Sequence, residues 1–299
     1  MTLQLEAPSR IPTIEREIDH ARQRGPLQQI TVPPCPELLT RLQRAMTAPE
    51  PDLAEVGRIA NADVAMAATL IRNANSALYA SLGPPVATAG QAMNRLGLRP
   101  SAAIMTGFLA RHAIPVRSPQ LAGFWEQSTR RARAMSCLAA QLPGLPDDLA
   151  YSYGLFSHVG LPVLMQGMRG YAGTMAEAAA RKDRPYVATE NANHRTDHAV
   201  VGALTARVWR LAPPVVAAIR LHHDLGVIGG QEVEPEVQTL LALGLVADEL
   251  LARLTGRASE LDWTPHGDAA LDWLQVGADD LEAWSDRLHD LLQDASMTD

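Results

Sequence analysis

The amino-acid sequence predicts an all-α protein. Apolar residues recur with helical spacing along most of the chain, strand-like alternation is almost absent, and aromatic residues make up only 4% of the 299 residues. The composition is 47% hydrophobic and 20% charged, which supplies ample apolar material for a buried core. We therefore expect helical bundles rather than a fold built on a sheet.

The N-terminal part of the chain begins with a charged helix and an extended, proline-rich segment. Residues 13–23 are predicted to form a short helix that lies detached from the core. Residues 30–36 contain three prolines, and each proline biases its predecessor away from helix. The next helix, 37–46, places its leucines and Met46 on one face.

Three polar side chains mark the starts of the next helices. Asp52 and Asp63 are placed to cap helices, and the second of these helices is predicted to run over 64–79. Thr88 is placed to start a further helix that Gly97 closes. With the amphipathic stretch that follows, about five helices form a compact bundle.

The second part of the chain is predicted to contain longer helices. The proline-bounded stretch 115–119 is the best internal boundary. Residues 186–196 are polar, and we interpret them as a loop. Helices are predicted over 121–142, 147–168, 171–182, 197–210, 213–223 and 234–255, with two weaker helical segments around Trp273 and Trp284.

These patterns divide the chain into four segments. They are an N-terminal extension (1–29), an N-terminal helical subdomain (30–115), a second helical subdomain (116–258) and an acidic C-terminal helical segment (259–299). The last segment holds eleven acidic residues and one arginine from position 260 onward. Such a segment is typical of a solvated cover or a partner surface. Its tryptophans, Trp263 among them, favour the cover, because spaced tryptophans are usually packed.

Composition argues against several classes of function and location. The net charge of −7 gives no global case for nucleic-acid binding. The charged N-terminus is unlike a secretory signal, and no apolar run approaches the length of a membrane span. Cys35 and Cys137 form neither a zinc-type pair nor a disulfide framework, which fits a reducing compartment. We therefore expect a cytoplasmic protein without a membrane or nucleic-acid partner.

Four histidines and one aspartate are the candidate metal ligands: His158, His198, His222, His223 and Asp248. The adjacent pair, His222 and His223, point about 100° apart on a helix, so both reach one dinuclear centre more easily than one ion. The alternative is that the pair caps the helix C-terminus. Asp248 sits among apolar residues and needs a partner, which a histidine, an arginine or a metal would supply.

Two further groups of polar residues have a functional and a structural interpretation. Arg130, Arg131 and Arg133 could contact phosphate, but we favour a solvated helical face. Asn75 and Ser76 could form a partner-contact site, but we favour side chains that bond to backbone and end the helix near Tyr79. No nucleophile elbow and no Gly-rich phosphate loop is present.

Three segments together resemble the HDOD family, the HD-related output domains of bacterial signalling proteins. The first is the proline-rich entry 33–37. The second is 70–79, with its Asn-Ser-Ala run, followed by Pro85-Val86 and the 91–97 helix. The third is Asp197-His198 with Gly202, Trp209, Pro214 and the His222-His223 pair. The spacing agrees over about residues 28–226. The resemblance implies an N-terminal helical bundle packed on an HD-like helical bundle.

The resemblance also implies a degenerate metal-ligand set. Gln127 or Ser128 stands where catalytic HD proteins carry an early histidine, and the His-Asp pair falls on Ser157-His158, so the metal-anchoring aspartate is missing. His198, His222, His223 and Asp248 remain at matching places, and they keep open a weaker possibility of metal binding. A hydrolytic site needs a carboxylate and several fixed ligands.

We therefore expect a non-catalytic bacterial regulatory protein that acts through protein-protein contacts and needs no cofactor. Its partners would be signalling proteins, in cyclic-dinucleotide, stress or motility circuits as the resemblance implies, with a nucleotide as a further ligand. The alternative is a metal-dependent HD-type phosphohydrolase or cyclic-dinucleotide phosphodiesterase with a reduced ligand set.

Overall fold

The protein is all-α, as predicted. A computed structural model describes residues 9–23, 25–76, 79, 82–259 and 261–296, and no strand occurs among them. Within these residues, none of the helices combines the length and apolarity needed to cross a bilayer. Residues 1–8 of the predicted extension, Glu260, and Ala77 and Leu78 of the predicted 64–79 helix lie outside the described residues.

The described helices follow one another with short connections. They are α1 (Ile11–Gln23), α2 (Glu37–Thr47), α3 (Leu53–Ala60), α4 (Val64–Ala74), α5 (Ala89–Leu96), α6 (Leu98–Ala113), α7 (Phe124–Ala139), α8 (Asp147–Phe156), α9 (Gly160–Gly167), α10 (Tyr171–Ala180), α11 (Tyr186–His194), α12 (His198–Val208), α13 (Pro213–Leu221), α14 (Pro235–Leu254), α15 (Trp263–Leu274) and α16 (Ala278–Ser296).

The chain forms two compact units. Unit 1 comprises Met1–Pro33 and Val116–Ser285, and unit 2 comprises Pro34–Pro115 and Asp286–Asp299. All the candidate metal ligands belong to unit 1, whereas Asn75 and Ser76 belong to unit 2. The division into four segments stays a prediction.

The predicted helix caps of unit 2 are confirmed. The Asp52 carboxylate accepts the Glu55 N–H, and the Asp63 carboxylate accepts the N–H groups that begin α4. Thr88 and Gln91 form a reciprocal capping box at the start of α5. Each cap satisfies backbone donors that the first helical turn leaves without intrahelical partners.

Helix α4 is shorter than the predicted 64–79. It ends at Ala74 because Asn75 turns its side chain onto the backbone of Val86, accepting its N–H and donating to its carbonyl, both at 2.8 Å. Ser76 donates to the carbonyl of Asn73 at 2.8 Å. Both polar side chains therefore bond to backbone at the helix end, several residues before Tyr79.

Helix α1 is not detached, and that expectation is wrong. Ile14 and Ile18 are each only 1% exposed, and α1 packs on α12 and α13 within unit 1. Arg207 of α12 pairs with Glu15 and Asp19 on the charged face. The two isoleucines are one turn apart, so a largely charged helix still presents an apolar stripe.

Residues 186–196 are not a loop: they contain α11, so the prediction is wrong there. The helix was missed because it buries polar side chains. Thr189 and Glu190 are both fully buried, and the Tyr171 hydroxyl donates to the Glu190 carboxylate. The polar partners lie on other elements, so hydrophobic periodicity does not reveal this helix.

The predicted 147–168 helix is two helices, α8 and α9, separated by a turn at 157–159. Gly160 begins α9 against α12, where a Cβ would lie 2.0 Å from the His198 carbonyl oxygen. Glycine is therefore required for the two backbones to approach this closely. The break also places His158 in a turn rather than within a helix.

Helix α15, in the predicted C-terminal segment, packs along α14 within unit 1. The Trp273 indole N–H donates to the Thr239 hydroxyl of α14 at 3.0 Å. Arg253 of α14 lies over the Trp263 ring, 5.7 Å from its centroid. Trp284 of α16 is 5% exposed. The tryptophans of this segment are therefore packing residues, as the cover interpretation expects.

Candidate functional site

Four histidines from three places in the fold converge in unit 1. His158 lies in the turn after α8, His198 begins α12, and His222 and His223 follow α13. One ring nitrogen from each lies within 4.8 Å of those of the other three. His198 is central: its Nε2 is 3.1 Å from His222 Nε2, 3.2 Å from His223 Nε2 and 3.4 Å from His158 Nδ1.

Three of the rings are oriented by oxygen atoms that contact their Nδ1 atoms, while their Nε2 atoms face one another. Nδ1 of His198 is 2.7 Å from a Glu190 carboxylate oxygen. Nδ1 of His222 is 2.7 Å from the Ile219 carbonyl oxygen, and Nδ1 of His223 is 3.1 Å from a carboxylate oxygen of Asp262. Because these oxygens accept hydrogen bonds, each Nδ1 carries a proton that it donates.

The fourth histidine, His158, is oriented by a donor, Arg131 of α7, and not by an acceptor oxygen. Arg131 Nη1 donates to His158 Nε2 at 2.6 Å and to the Ser157 hydroxyl at 2.7 Å. Its Nη2 lies 2.7 Å from a carboxylate oxygen of Asp248, in an ion pair whose side chains are only 9% and 18% exposed. The guanidinium thus joins the turn at 157–158 to α14.

Burial keeps the cluster uncharged at two of its histidines. Desolvation lowers the pKa of His158 well below 6.5, and the nearby charge of Arg131 lowers it further. Burial, followed by the neighbouring imidazoles, also holds the pKa of His222 well below 6.5. Both rings are therefore neutral at physiological pH and able to offer a lone pair.

The structure separates Asp248 from the histidines. The group of converging donor atoms, among the residues described, holds four histidines and no carboxylate. Asp248 instead forms an ion pair with Arg131. An arginine was one of the three predicted kinds of partner, beside a histidine and a metal. Of the possible metal ligands His198, His222, His223 and Asp248, the structure thus brings together the three histidines and not Asp248. His158 lies beside the three histidines.

The three arginines of α7 do not share one solvated face, so that expectation is wrong for Arg131. Arg131 is buried, whereas Arg130 forms an exposed pair with Glu126 one turn earlier and Arg133 is partly exposed. Gln127 is exposed and Ser128 is buried on the same helix.

Sequence reasoning missed three contributors to the site. Glu190 lies in the stretch that was interpreted as a loop, and Asp262 lies in the acidic segment that was interpreted as a cover. Tyr153, whose ring lies 5.7 Å from the Arg131 guanidinium carbon, was not considered. One sequence feature pointed to Glu190: it lies in a polar stretch, eight residues before the candidate ligand His198.

A small cavity lies against the cluster. Its lining includes Arg131, His222, His223, Asp248 and Asp262, together with Tyr153 and leucines of α14. Its volume is about 20 Å³, enough for a water molecule or an ion.

The residues present do not fit a dinuclear hydrolytic centre. Such a centre places two ions about 3.5–4 Å apart and needs anionic ligands to offset their charge. Here the converging donors are four imidazoles, and a guanidinium nitrogen lies 2.6 Å from one of them. A second cation beside Arg131 is electrostatically unfavourable. The donor set fits one transition ion at most.

Comparison with known proteins identifies a family and a fold. The HDOD domain model matches residues 32–225. A curated protein of Treponema pallidum (strain Nichols), described as uncharacterized, is 26% identical over 211 residues, which is 70% of this chain and 40% of that protein. This chain therefore spans about two fifths of the length of that relative.

Three solved structures share the fold. An HDOD domain protein of unknown function from Geobacter sulfurreducens has a TM-score of 0.72 at 18% identity, covering 96% of this chain and 98% of that one. A Marinobacter aquaeolei VT8 protein, named provisionally for signal transduction, has a TM-score of 0.71 at 18% identity, covering 100% and 68%. A Shewanella amazonensis SB2B protein, named provisionally as a phosphohydrolase, has a TM-score of 0.68 at 19% identity, covering 92% of each chain.

Proposed function

The chain belongs to the HDOD domain family, and from this premise we propose that it is a regulatory protein that signals by binding other proteins and does not hydrolyse a substrate. The family match covers the elements that carry His158, His198, His222 and His223, so the proposal concerns the same site that a catalytic relative would use.

The observation that carries the proposal is the position of Arg131. Its guanidinium occupies the space between the turn at 157–158 and Asp248, and it neutralises the carboxylate that a catalytic metal would need. A fixed positive charge in this place lowers the affinity for divalent ions and leaves no carboxylate among the converging donors. Arg131 therefore stabilises the fold at the expense of hydrolytic chemistry.

Two exposed apolar side chains in unit 2 offer positions at which a partner interface can be probed. Val64 is 87% exposed and Leu53 is 63% exposed, although each stands at the first position of a helix in unit 2. Single exposed apolar residues are common on monomeric proteins. They serve here as points where a charge can be introduced without disturbing the core.

Affinity capture from the native bacterium tests the proposal. Tagged full-length protein should enrich at least one protein whose recovery falls when excess untagged chain is added, and the purified pair should bind directly in calorimetry. Val64→Glu tests the unit 2 surface, with Leu261→Glu, 56% exposed in unit 1, as its matched control. Repeated captures with no competable partner would argue against signalling by contact.

The second candidate function is a metal-dependent phosphohydrolase, and the convergence of three histidine nitrogens favours it. The provisional name of the Shewanella amazonensis protein points the same way. This candidate predicts turnover that disappears in His222→Ala.

The proposal for a regulatory protein also includes the process in which it acts, which is cyclic-dinucleotide, stress or motility signalling. Calorimetry with cyclic dinucleotides tests the nucleotide ligand, and Arg130→Ala and Arg133→Ala would locate its phosphate contacts.

A further inference from the structure

Helix α1 is held to unit 1 by a small apolar contact. Of its 13 residues only Ile14 and Ile18 are buried, whereas eight of the eleven residues of α12 are buried. Helices α12 and α13 pack on each other, and α1 packs on both. The surface that these two helices, His198–Val208 and Pro213–Leu221, present to α1 is called the α12–α13 surface below. Two isoleucines hold a short helix weakly, because helices below about 12–15 residues are marginal in water and depend on such packing.

The charged contacts between α1 and α12 are partly exposed. Arg207 Nη1 lies 2.6 Å from a Glu15 carboxylate oxygen, and Arg207 Nη2 lies 2.8 Å from one of Asp19. These side chains are 31–50% exposed, so water and salt screen their attraction. Glu15 and Asp19 are like charges four positions apart, which destabilises an isolated helix. The acidic residues of α1 are therefore suited to a helix that binds beside a cation.

A carboxylate that precedes α14 contacts the start of α1. Glu234 accepts the Ile11 N–H at 3.1 Å and the Ser9 hydroxyl through one of its oxygens. The other oxygen is buried and has no hydrogen-bond partner among the described residues, and Pro12, which follows Ile11, has no N–H to offer. A different helix with a free N–H at that position could donate to it. The site thus favours a helix start and leaves one acceptor for a better ligand.

A glycine separates α1 from the segment that anchors the chain. Gly25 is exposed and has a φ of +83°, a backbone conformation that other residues rarely adopt. Beyond it, Leu27 and Ile30 are only 4% and 7% exposed. Rotation about Gly25 would therefore release α1 and leave the buried residues in place. Helix α1 also lies outside the family match, 32–225, whereas α12 and α13 lie inside it.

We propose that the α12–α13 surface is a docking site for an amphipathic helix of a partner protein, and that α1 occupies this site in the free chain and is displaced on binding. The partner helix carries two aliphatic side chains four positions apart, carboxylates that reach Arg207 and a helix start that faces Glu234. Amphipathic helices bound in apolar grooves are a recurring mode of recognition. The inference rests on the proposed function, since it assigns a surface and a kind of partner to signalling by contact.

A fluorescent peptide of residues 9–23 is the probe, and anisotropy measures its binding to the full chain. In Ile14→Ser/Ile18→Ser, the double-serine chain, the chain's own α1 competes poorly. The peptide should therefore bind this variant at least about 10-fold more tightly than it binds the unmodified chain. A peptide with the same two serines should not bind, because it lacks the apolar stripe. Glu17→Ala, on the exposed side of α1, should leave peptide binding unchanged.

Two further measurements test the charged contact and the release of α1. Arg207→Ala in the double-serine chain should weaken peptide binding about 2- to 5-fold, but not for a peptide with Glu15→Ala and Asp19→Ala. Hydrogen exchange of the unmodified chain needs no variant that could misfold. The N–H groups of α1 should exchange at least about 100-fold faster than those of α12 and α13.

Two results would overturn the proposal. The first is equal protection from exchange in α1 and α13. The second is absence of binding at about 1 mM peptide to a double-serine chain that still unfolds cooperatively.

The captured partner separates this inference from the proposed function. The peptide of residues 9–23 should release the partner, and the double-serine chain should recover more of it. A competable partner that responds to neither would overturn the docking site and leave the proposed function standing. Peptide binding without any competable partner would refute the proposed function, with α1 as the occupant that remains. A dimer of the unmodified chain that the peptide dissociates would identify the occupant as α1 of a second copy and overturn the assignment to a partner protein.

Discussion

At the scale of single residues, the proposed non-catalytic role rests on the contacts of Arg131. The sequence identifies the histidines as candidates, and it shows that Asp248 needs a partner. It does not reveal which partner, because Arg131 and Asp248 are 117 positions apart and only the packing of α7 on α14 brings them together. The arginine also looked like one of three on a solvated face, since helical spacing alone does not show which of Arg130, Arg131 and Arg133 is buried.

Adjacent arginines provide a direct test of this assignment. Arg131→Ala should lower the free energy of unfolding by about 3 kcal/mol, because it leaves the largely buried carboxylate of Asp248 without this cation. Arg130→Ala should cost less than about 1 kcal/mol, since its pair with Glu126 is exposed. Urea unfolding of both variants measures the difference. Equal losses would show that the Arg131 pair is not a buried structural contact.

The depressed histidine pKa values predict how stability depends on pH. In the unfolded chain His158 and His222 titrate near 6.5, whereas in the folded metal-free protein their pKa values lie well below that. As pH falls below about 6.5, the unfolded chain takes up protons that the folded protein does not. The free energy of unfolding should therefore decrease, by up to about 1.4 kcal/mol per pH unit for each group.

Urea midpoints between pH 7.5 and 5.5, measured with a chelator present, check this pH dependence. His158→Gln removes one of the two groups and should reduce the slope. His289→Gln, which changes an exposed histidine of α16, should leave it as it is. A slope that is the same in His158→Gln as in the unmodified protein would show that His158 is not held neutral by the fold.

At the scale of elements, the helix starts could be predicted from local capping residues, whereas the helix that buries polar side chains could not. The starts of α3, α4 and α5 follow from Asp52, Asp63 and Thr88, whose caps form with residues two or three positions away. Helix α11 escaped prediction because Glu190 finds its partners, Tyr171 and His198, on other elements. Helices that bury polar networks carry no apolar stripe for the sequence to reveal.

The close contact of α9 with α12 gives a prediction about two glycines. Gly160→Ala should lower the free energy of unfolding by about 3 kcal/mol, because the new Cβ would lie 2.0 Å from the His198 carbonyl oxygen. Gly173→Ala, in the exposed part of α10 with open space around it, should raise it by about 0.5–1 kcal/mol. Thermal unfolding distinguishes the two. A tolerated Gly160→Ala would mean that the two helices are free to separate.

At the scale of the whole molecule, the all-α class follows from composition and periodicity, whereas the function of the histidine cluster depends on tertiary contacts. Oxygens from Glu190, Ile219 and Asp262 orient three of its rings, and Arg131 orients the fourth. Two of these groups, Glu190 and Asp262, lie in segments that the sequence analysis interpreted as a loop and a cover. The proposed non-catalytic role therefore rests on tertiary contacts that no single segment of the sequence reveals.

The most direct test is a hydrolysis measurement on the full chain whose content of Zn²⁺, Mn²⁺ and Fe²⁺ has been determined in the same sample. The substrates are cyclic dinucleotides, nucleoside monophosphates and bis(p-nitrophenyl) phosphate, and His222→Ala serves as the reference. We predict that the two proteins release product at the same background rate with every ion, because Asp248 is held by Arg131 and, among the described residues, the converging metal-ligand group holds no carboxylate. Turnover by the unmodified chain that His222→Ala abolishes would contradict a non-catalytic role.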